Sequence, residues 1–479
     1  MERSQSRLSP SPGLIGEFAK PRGSTKLRTE NILAPWLVPV LSVVCLVWPA
    51  LWNGYPIVFA DTGTYLSQAM HHYLGWDRPV FYSLFIWPFH LGLTTWPVIL
   101  VQSCITVTVL DLTRRAFGLT IGWLLGLTGF LAVATWLPWT VSELMPDLFT
   151  PLMILLLGLL VFLGPEPGLW HRAAITALAA FMIATQQSSV PLAIGLLMVV
   201  IPLRRFVASS WAGKSTRYNS WFVILAPLLA PAVAVVALVM VNTIGFGRIS
   251  VSPYGNVFVL ARVIYDGPGM MVLRRDCPNS GWRLCRYIDQ FPSTADEFLW
   301  DQSSPIMLAG GHKVISAEAD AVIRDAVISQ PDRLLIATWD NTLEQLVRFA
   351  SGDGLESWNQ QVGLWIDRDF PAGERTTFHT ARQQSGTLGI PWGLTIVHRI
   401  TAIAGIGTAL LLVPIAWRRR HVSAWFLAIA LMALPLSAAI TGGLSTPHDR
   451  YQSRIVWLPA AVVFLTVPAL LRCKRCDFA

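Results

Sequence analysis

Residues 59–88 read FADTGTYLSQAMHHYLGWDRPVFYSLFIWP, which sets Asp61, His71, His72, Asp77 and Arg78 between two apolar segments. Ionisable groups held against a bilayer are costly unless they are paired or used. Asp61 offers a carboxylate that could take the proton from an attacking hydroxyl. Its place ahead of Thr62 and Thr64 also suits it to cap a short helix running through Met70, and the two roles are compatible. Arg78, in W-D-R-P, carries a planar guanidinium that matches phosphate oxygens. A surface pair with Asp77 or a lipid headgroup would occupy it equally well. Residues 142–147 (S-E-L-M-P-D) add Glu143 and Asp147, acids able to orient a hydroxyl or a cation, or simply to solvate a loop. Gln186, Gln187, Ser188 and Ser189 make an uncharged turn able to hydrogen-bond a sugar. Residues 445–454 (S-T-P-H-D-R-Y-Q-S-R) add His448, Arg450, Tyr451 and Arg454. Arg450 and Arg454 are four apart and would share one face of a helix. An anionic ligand would use them, as would a salt link to Asp449 or to lipid.

The elements that must carry these groups follow from composition. The chain has 479 residues, 53% hydrophobic and 13% charged, with 21 tryptophans. Soluble proteins carry roughly 25% charged residues, so half that share, with a mean hydropathy of +0.51, means a polytopic helical membrane protein. A span takes about 20 mainly apolar residues. Ten stretches qualify, at 32–51, 96–112, 117–137, 148–164, 173–185, 190–203, 221–244, 391–417, 422–440 and 455–471, the fifth and sixth being short. The net charge of +8 does not point to nucleic acid, because its Lys and Arg sit at the ends of apolar runs. Arg114 and Arg115, Arg172, Arg204 and Arg205, Arg418 to Arg420, and Arg472 with Lys474 and Arg475 fall on alternate connections. That is the positive-inside pattern, with both termini cytoplasmic. Five segments then share the opposite face: 52–95, 138–147, 186–189, 245–390 and 441–454. They hold nearly every non-basic polar group that looks deliberate.

The expected organisation is a disordered cytoplasmic tail (1–30), a transmembrane module (31–244) with a periplasmic first loop (52–95), and a periplasmic α or α+β domain (245–390). C-terminal transmembrane helices (391–471) and a cytoplasmic tail (472–479) complete it. Within 245–390, residues 316–329 read as a helix with Ser316 as its cap. Residues 331–349 read as another, with Leu334, Leu335, Leu343, Leu346 and Val347 to bury and too many charges to span. Residues 256–263 fit strand or helix. Cys277 and Cys285 (CPNSGWRLC) are a disulfide candidate in an oxidising compartment. Cys45 and Cys104 read as packing residues within spans, and the C-K-R-C at Cys473 and Cys476 is a weak zinc signal.

The order of a short tail, a span, an acid-bearing loop, a basic residue and Pro before an aromatic run, and a span ending R-R-A-F-G resembles the GT-C superfamily. These are glycosyltransferases that use polyprenyl-phosphate sugars, the bacterial aminoarabinose and mannosyl transferases being the nearest comparison. M-P-D before the fourth span and R-Y-x-x-R before the last resemble it too. The likeness covers residues 1–190 best and the last 40 next. It implies a bacterial inner-membrane enzyme that moves a sugar from a lipid-linked donor to an unidentified acceptor, with inversion. Asp61 would be the catalytic base, Asp147 a second acid at the site, and Arg78, Arg450 and Arg454 the phosphate ligands. Glu143, His448 and Tyr451 would complete the substrate site, and residues 80–93 would lie beside the polyprenyl tail. The first loop holds no D-x-D, and one acid stands near its start where a pair would be expected, so a metal-independent reaction without cofactor is implied. Two other readings remain: a transporter or flippase of lipid-linked saccharides, and a non-catalytic envelope assembly protein.

Overall fold

The computed structural model describes residues 34–162, 168–211 and 221–472. The tail 1–30 and the pair Cys473 and Cys476 lie outside the described residues. The chain is a helical membrane protein. Among the described residues five helices are long and apolar enough to cross a membrane: Trp96–Ala116, Leu225–Phe246, Trp392–Arg418, Ser423–Leu444 and Asp449–Arg472. A sixth would be the pair Gly255–Tyr265 and Pro268–Cys277 if taken together, although it is bent by 93°. Five shorter apolar helices, Trp36–Leu46, Gly122–Ala134, Pro146–Phe162, Leu169–Ala184 and Ser189–Arg204, occupy the other hydropathic stretches. The stretch 32–51 is not one straight helix. It breaks at Val47, and a second helix, Trp48–Asn53, starts with Pro49 in its first turn. Proline has no amide proton to continue a helix but is well placed at its beginning.

The helix Phe149–Phe162 is buried along its whole length and acts as the central post. Apolar character on every side suits a helix surrounded by others. Around it the membrane helices close in through small residues. A Cβ on Gly405 would stand 2.7 Å from that of Ala460, so helices Trp392–Arg418 and Leu458–Arg472 touch only because this position is glycine.

Segment 245–390 is helical. Among the described residues there is no strand, only an isolated bridge between Ile57 and Glu143. The run 256–263 belongs to helix Gly255–Tyr265. Nor is the segment one lobe. Residues between Tyr254 and Ala326 bury their own core, with Val257, Leu260, Phe298, Ile315 and Val322 at its centre. Cys277 and Cys285 are joined there by a disulfide. Ser316 is not a cap: its helix starts earlier, at His312, and the hydroxyl bonds Asn256 and Arg248. The following helix, Pro331–Val347, lies against Ser423–Leu444 instead. Leu335, Leu343 and Val347 stay exposed on it, contrary to the expectation that they are buried.

The last part of the segment folds into the first loop. Gln383 accepts from the Val58 amide (3.0 Å) and donates to the Val58 carbonyl (2.7 Å), as a strand neighbour would. Glu374 Oε1 accepts from Tyr55 Oη (2.8 Å), the Thr95 amide (2.8 Å) and Thr95 Oγ1 (2.9 Å). A buried carboxylate with three donors ties both ends of the loop together. Glu374→Ala would orphan all three donors, and about 2–4 kcal/mol of stability should be lost. Thermal unfolding in detergent reads this directly.

Candidate functional site

Asp61 precedes helix Thr62–His71 but does not cap it: its backbone is helical (φ −68°, ψ −20°) and its side chain makes no capping bond. Thr62 Oγ1 accepts the Phe59 amide at 2.9 Å and donates to the Leu144 carbonyl at 3.1 Å, which fixes the turn. The Asp61 carboxylate is therefore directed elsewhere, to Arg78 Nη2 at 2.7 Å. The helix ends with His72 in the left-handed region (φ +52°). Gln68 Oε1 then accepts the Gly75 amide, and Trp76 stacks on His312 with ring centres 4.0 Å apart. The turn that carries Arg78 is thus pinned to the lobe of residues 254–326, and the Arg78 guanidinium stands 5.4 Å from the ring centre of Trp300.

Asp147 lies in the 3-10 turn Pro146–Leu148 and is 1% exposed. It accepts from Arg454 Nη1 at 2.7 Å and from Gln186 Nε2 at 3.2 Å. Arg450 stands between the two acids, 3.9 Å from Asp61 and 4.0 Å from Asp147, with Phe59 beneath its guanidinium at 4.0 Å. Its backbone amide is held by Asp353 at 2.8 Å. Among the described residues, Arg450 Nη1 and Arg78 Nε have no hydrogen-bond partner. Both residues border a cavity, and an acceptor supplied by a ligand is one explanation for a buried donor left unsatisfied.

That cavity, about 320 Å³, is bounded by Asp61, Asp77, Arg78, Asp296, Arg450 and Tyr451 among its polar groups. Gln186, Gln187 and Ser188 close one side. Each of the five segments that the charge pattern sets on one face contributes to the lining. Residues 80–93 do not line this cavity: helix Val80–His90 turns Tyr82 and Ile86 into the core and leaves Leu84 and Trp87 exposed. Phe258, Val259, Leu299, Trp300, Ile440 and Leu444 form the cavity's apolar wall.

Other expected site residues stand behind the cavity. Arg454 is 1% exposed and committed to Asp147, so neither faces the open space. Glu143 is buried nearby. Burial, and next Asp147, push its carboxyl well above the usual range. His448 faces Asp296 at 3.2 Å, which holds the Asp296 carboxyl below the usual range. Burial pushes the Asp77 carboxyl up, with Arg78 opposing. Asp449 pairs with Arg348 at 3.7 Å, leaving Arg450 to the site.

Asp296, Trp300 and Asp353 were not singled out by sequence. The capping box of Thr294 and Glu297 marks the helix Ala295–Trp300, but nothing in its spacing says that it meets a loop 150 residues away. Among the described residues no cluster of three or more His, Cys, Asp or Glu could hold a metal. No family model matches the chain, and no curated protein or solved structure is significantly similar to it. What the arrangement offers chemically is a carboxylate opposite two guanidiniums with spare donors, at the junction of a polar and an apolar wall.

Proposed function

We propose that the chain is an inverting glycosyltransferase of GT-C type, transferring a sugar from a polyprenyl-phosphate donor to a periplasmic acceptor. In this reading it crosses the bacterial inner membrane about ten times, with both termini cytoplasmic and the cavity at the periplasmic face. The observation that carries it is the convergence of all five outer segments on one cavity holding Asp61, Arg78 and Arg450.

The donor is a phosphodiester with one negative charge, and two guanidiniums suit it. Its phosphate would engage the free donors of Arg450 and draw Arg78 away from Asp61. The released carboxylate would then accept the proton of the acceptor hydroxyl as that oxygen bonds the anomeric carbon. The bond from that carbon to the phosphate oxygen breaks, and the electron pair leaves with the polyprenyl phosphate. Arg78 and Arg450 stabilise the charge that gathers there. Asp147, held by Arg454, fixes the position of Arg450. No step calls for a metal, since the phosphate is met by guanidinium.

Purified protein given a sugar-labelled polyprenyl phosphate and a crude envelope acceptor fraction should form labelled product of inverted anomeric configuration. Label that crosses vesicles still attached to its lipid, with no product, would instead establish a transporter. Arg450→Ala removes a charge-assisted contact made to the donor, so its KM for donor should rise about 10–100-fold. An unchanged KM would remove Arg450 from the phosphate site.

A further inference from the structure

The helix Pro331–Val347 presents an apolar stripe to the outside. Ile336, Trp339, Leu343 and Val347 recur at i, i+3, i+7 and i+11, and are 60%, 64%, 44% and 72% exposed. Leu335 widens the stripe at 71% exposed. Such a face in water on a folded lobe is unfavourable. The opposite face of this helix is small and polar, and it packs on a helix that crosses the membrane. A Cβ on Gly442 would stand 2.5 Å from the Asn341 carbonyl oxygen and 2.9 Å from Gln345 Cβ, so the two helices are nearly in backbone contact. Thr338 meets Gly443 in the same way. Leu444, at the end of that membrane helix, is 54% exposed. Charged residues run along the flank, Glu344 pairing with Arg348 at 2.9 Å.

We infer that helix Pro331–Val347 lies in the bilayer interface on the cavity's side of the membrane, with phospholipid covering its outward stripe. A tryptophan within an apolar face, a charged flank and low overall hydrophobicity are the features of helices that lie in that interface. Lipid is the occupant because the opposite face of this helix packs on the C-terminal end of Ser423–Leu444, a helix long and apolar enough to cross a membrane. The helix also reaches the candidate site. Gln345 donates to the His448 carbonyl and accepts the His448 amide, each at 2.9 Å, two residues before Arg450. A helix seated in lipid therefore props the loop that carries Arg450, whatever reaction the cavity performs.

The test uses the full chain in phosphatidylcholine nanodiscs, with Cys45, Cys104, Cys473 and Cys476 replaced by serine and the disulfide kept. An environment-sensitive fluorophore is attached at Leu343→Cys, at Val347→Cys, or at Arg324→Cys as a water-facing control. Both stripe positions should emit to the blue of the control and be quenched about twofold or more by lipids with a nitroxide near the headgroup. Water-like emission without quenching at both positions overturns the inference. Blue emission that lipid nitroxides cannot reach also overturns it, because protein would then cover the stripe. Two labelled positions keep the test valid if one substitution fails to fold.

Discussion

Asp61→Asn should lower sugar transfer about a thousandfold while leaving the fold and donor binding intact. General base catalysis contributes typically about 10²–10⁴-fold, and the amide cannot take a proton. Asparagine keeps the size of the side chain and an oxygen within reach of Arg78 Nη2, now 2.7 Å from the carboxylate. Asp61 is also not a helix cap, so the substitution removes no capping bond. The damage should therefore fall on kcat, with KM for donor changed little. Product formation against time, at saturating donor, measures it. Asp61→Ala would be a poorer choice, since it would leave the half-buried Arg78 guanidinium without its carboxylate as well as remove the base. If Asp61→Asn transfers sugar at the parent rate, another group is the base.

Arg454→Met carries the largest expected effect on stability. The pair with Asp147 is 1% exposed on both sides, and its hydrogen bond is 2.7 Å long. Removing one partner of a buried pair leaves the other charge uncompensated, which costs about 3–5 kcal/mol. Gln186, at 3.2 Å, and Arg450, at 4.0 Å, compensate only in part. The double variant Arg454→Met with Asp147→Asn removes both charges and should recover much of the loss. Unfolding monitored in detergent for both single variants and the double variant gives the coupling between them. Independent effects of the two substitutions would mean that Arg454 does not hold Asp147. The same series separates stability from catalysis. Arg454 stands behind the cavity, so any activity lost should follow the displacement of Asp147 and Arg450.

How much of this was legible in the sequence differs from residue to residue. Hydropathy located five helices long enough to cross a membrane and five shorter apolar ones, because a buried or lipid-facing helix needs a continuous apolar run, and that signal is local. It could not foresee the break at Val47, where Pro49 begins a second helix within one apolar stretch. Asp61, Arg78, Asp147, Arg450 and Arg454 stood out because charge next to apolar runs is costly, and they do meet in space. Their separate tasks were not legible. Whether an arginine faces a cavity or a buried aspartate depends on packing among segments up to 390 residues apart. That residues 80–93 do not line the cavity has a related reason: an aromatic run marks a helix that packs without saying against what. The helix Pro331–Val347 shows the converse error. Its amphipathic pattern predicts a buried face, but lipid satisfies the same pattern as a protein core. Glu374 and Gln383 left no trace, since a single polar residue that serves one long-range contact has no period to reveal it.

The central claim is that one cavity holds a lipid-linked phosphate between Arg78 and Arg450 with its sugar towards Asp61. The Asp61→Asn protein, which should bind donor without consuming it, allows this to be seen by electron cryo-microscopy with polyprenyl-phosphate sugar present. The account predicts a phosphate density in contact with both guanidiniums and the anomeric carbon facing residue 61. A donor bound elsewhere, or one whose phosphate touches neither arginine, would contradict it.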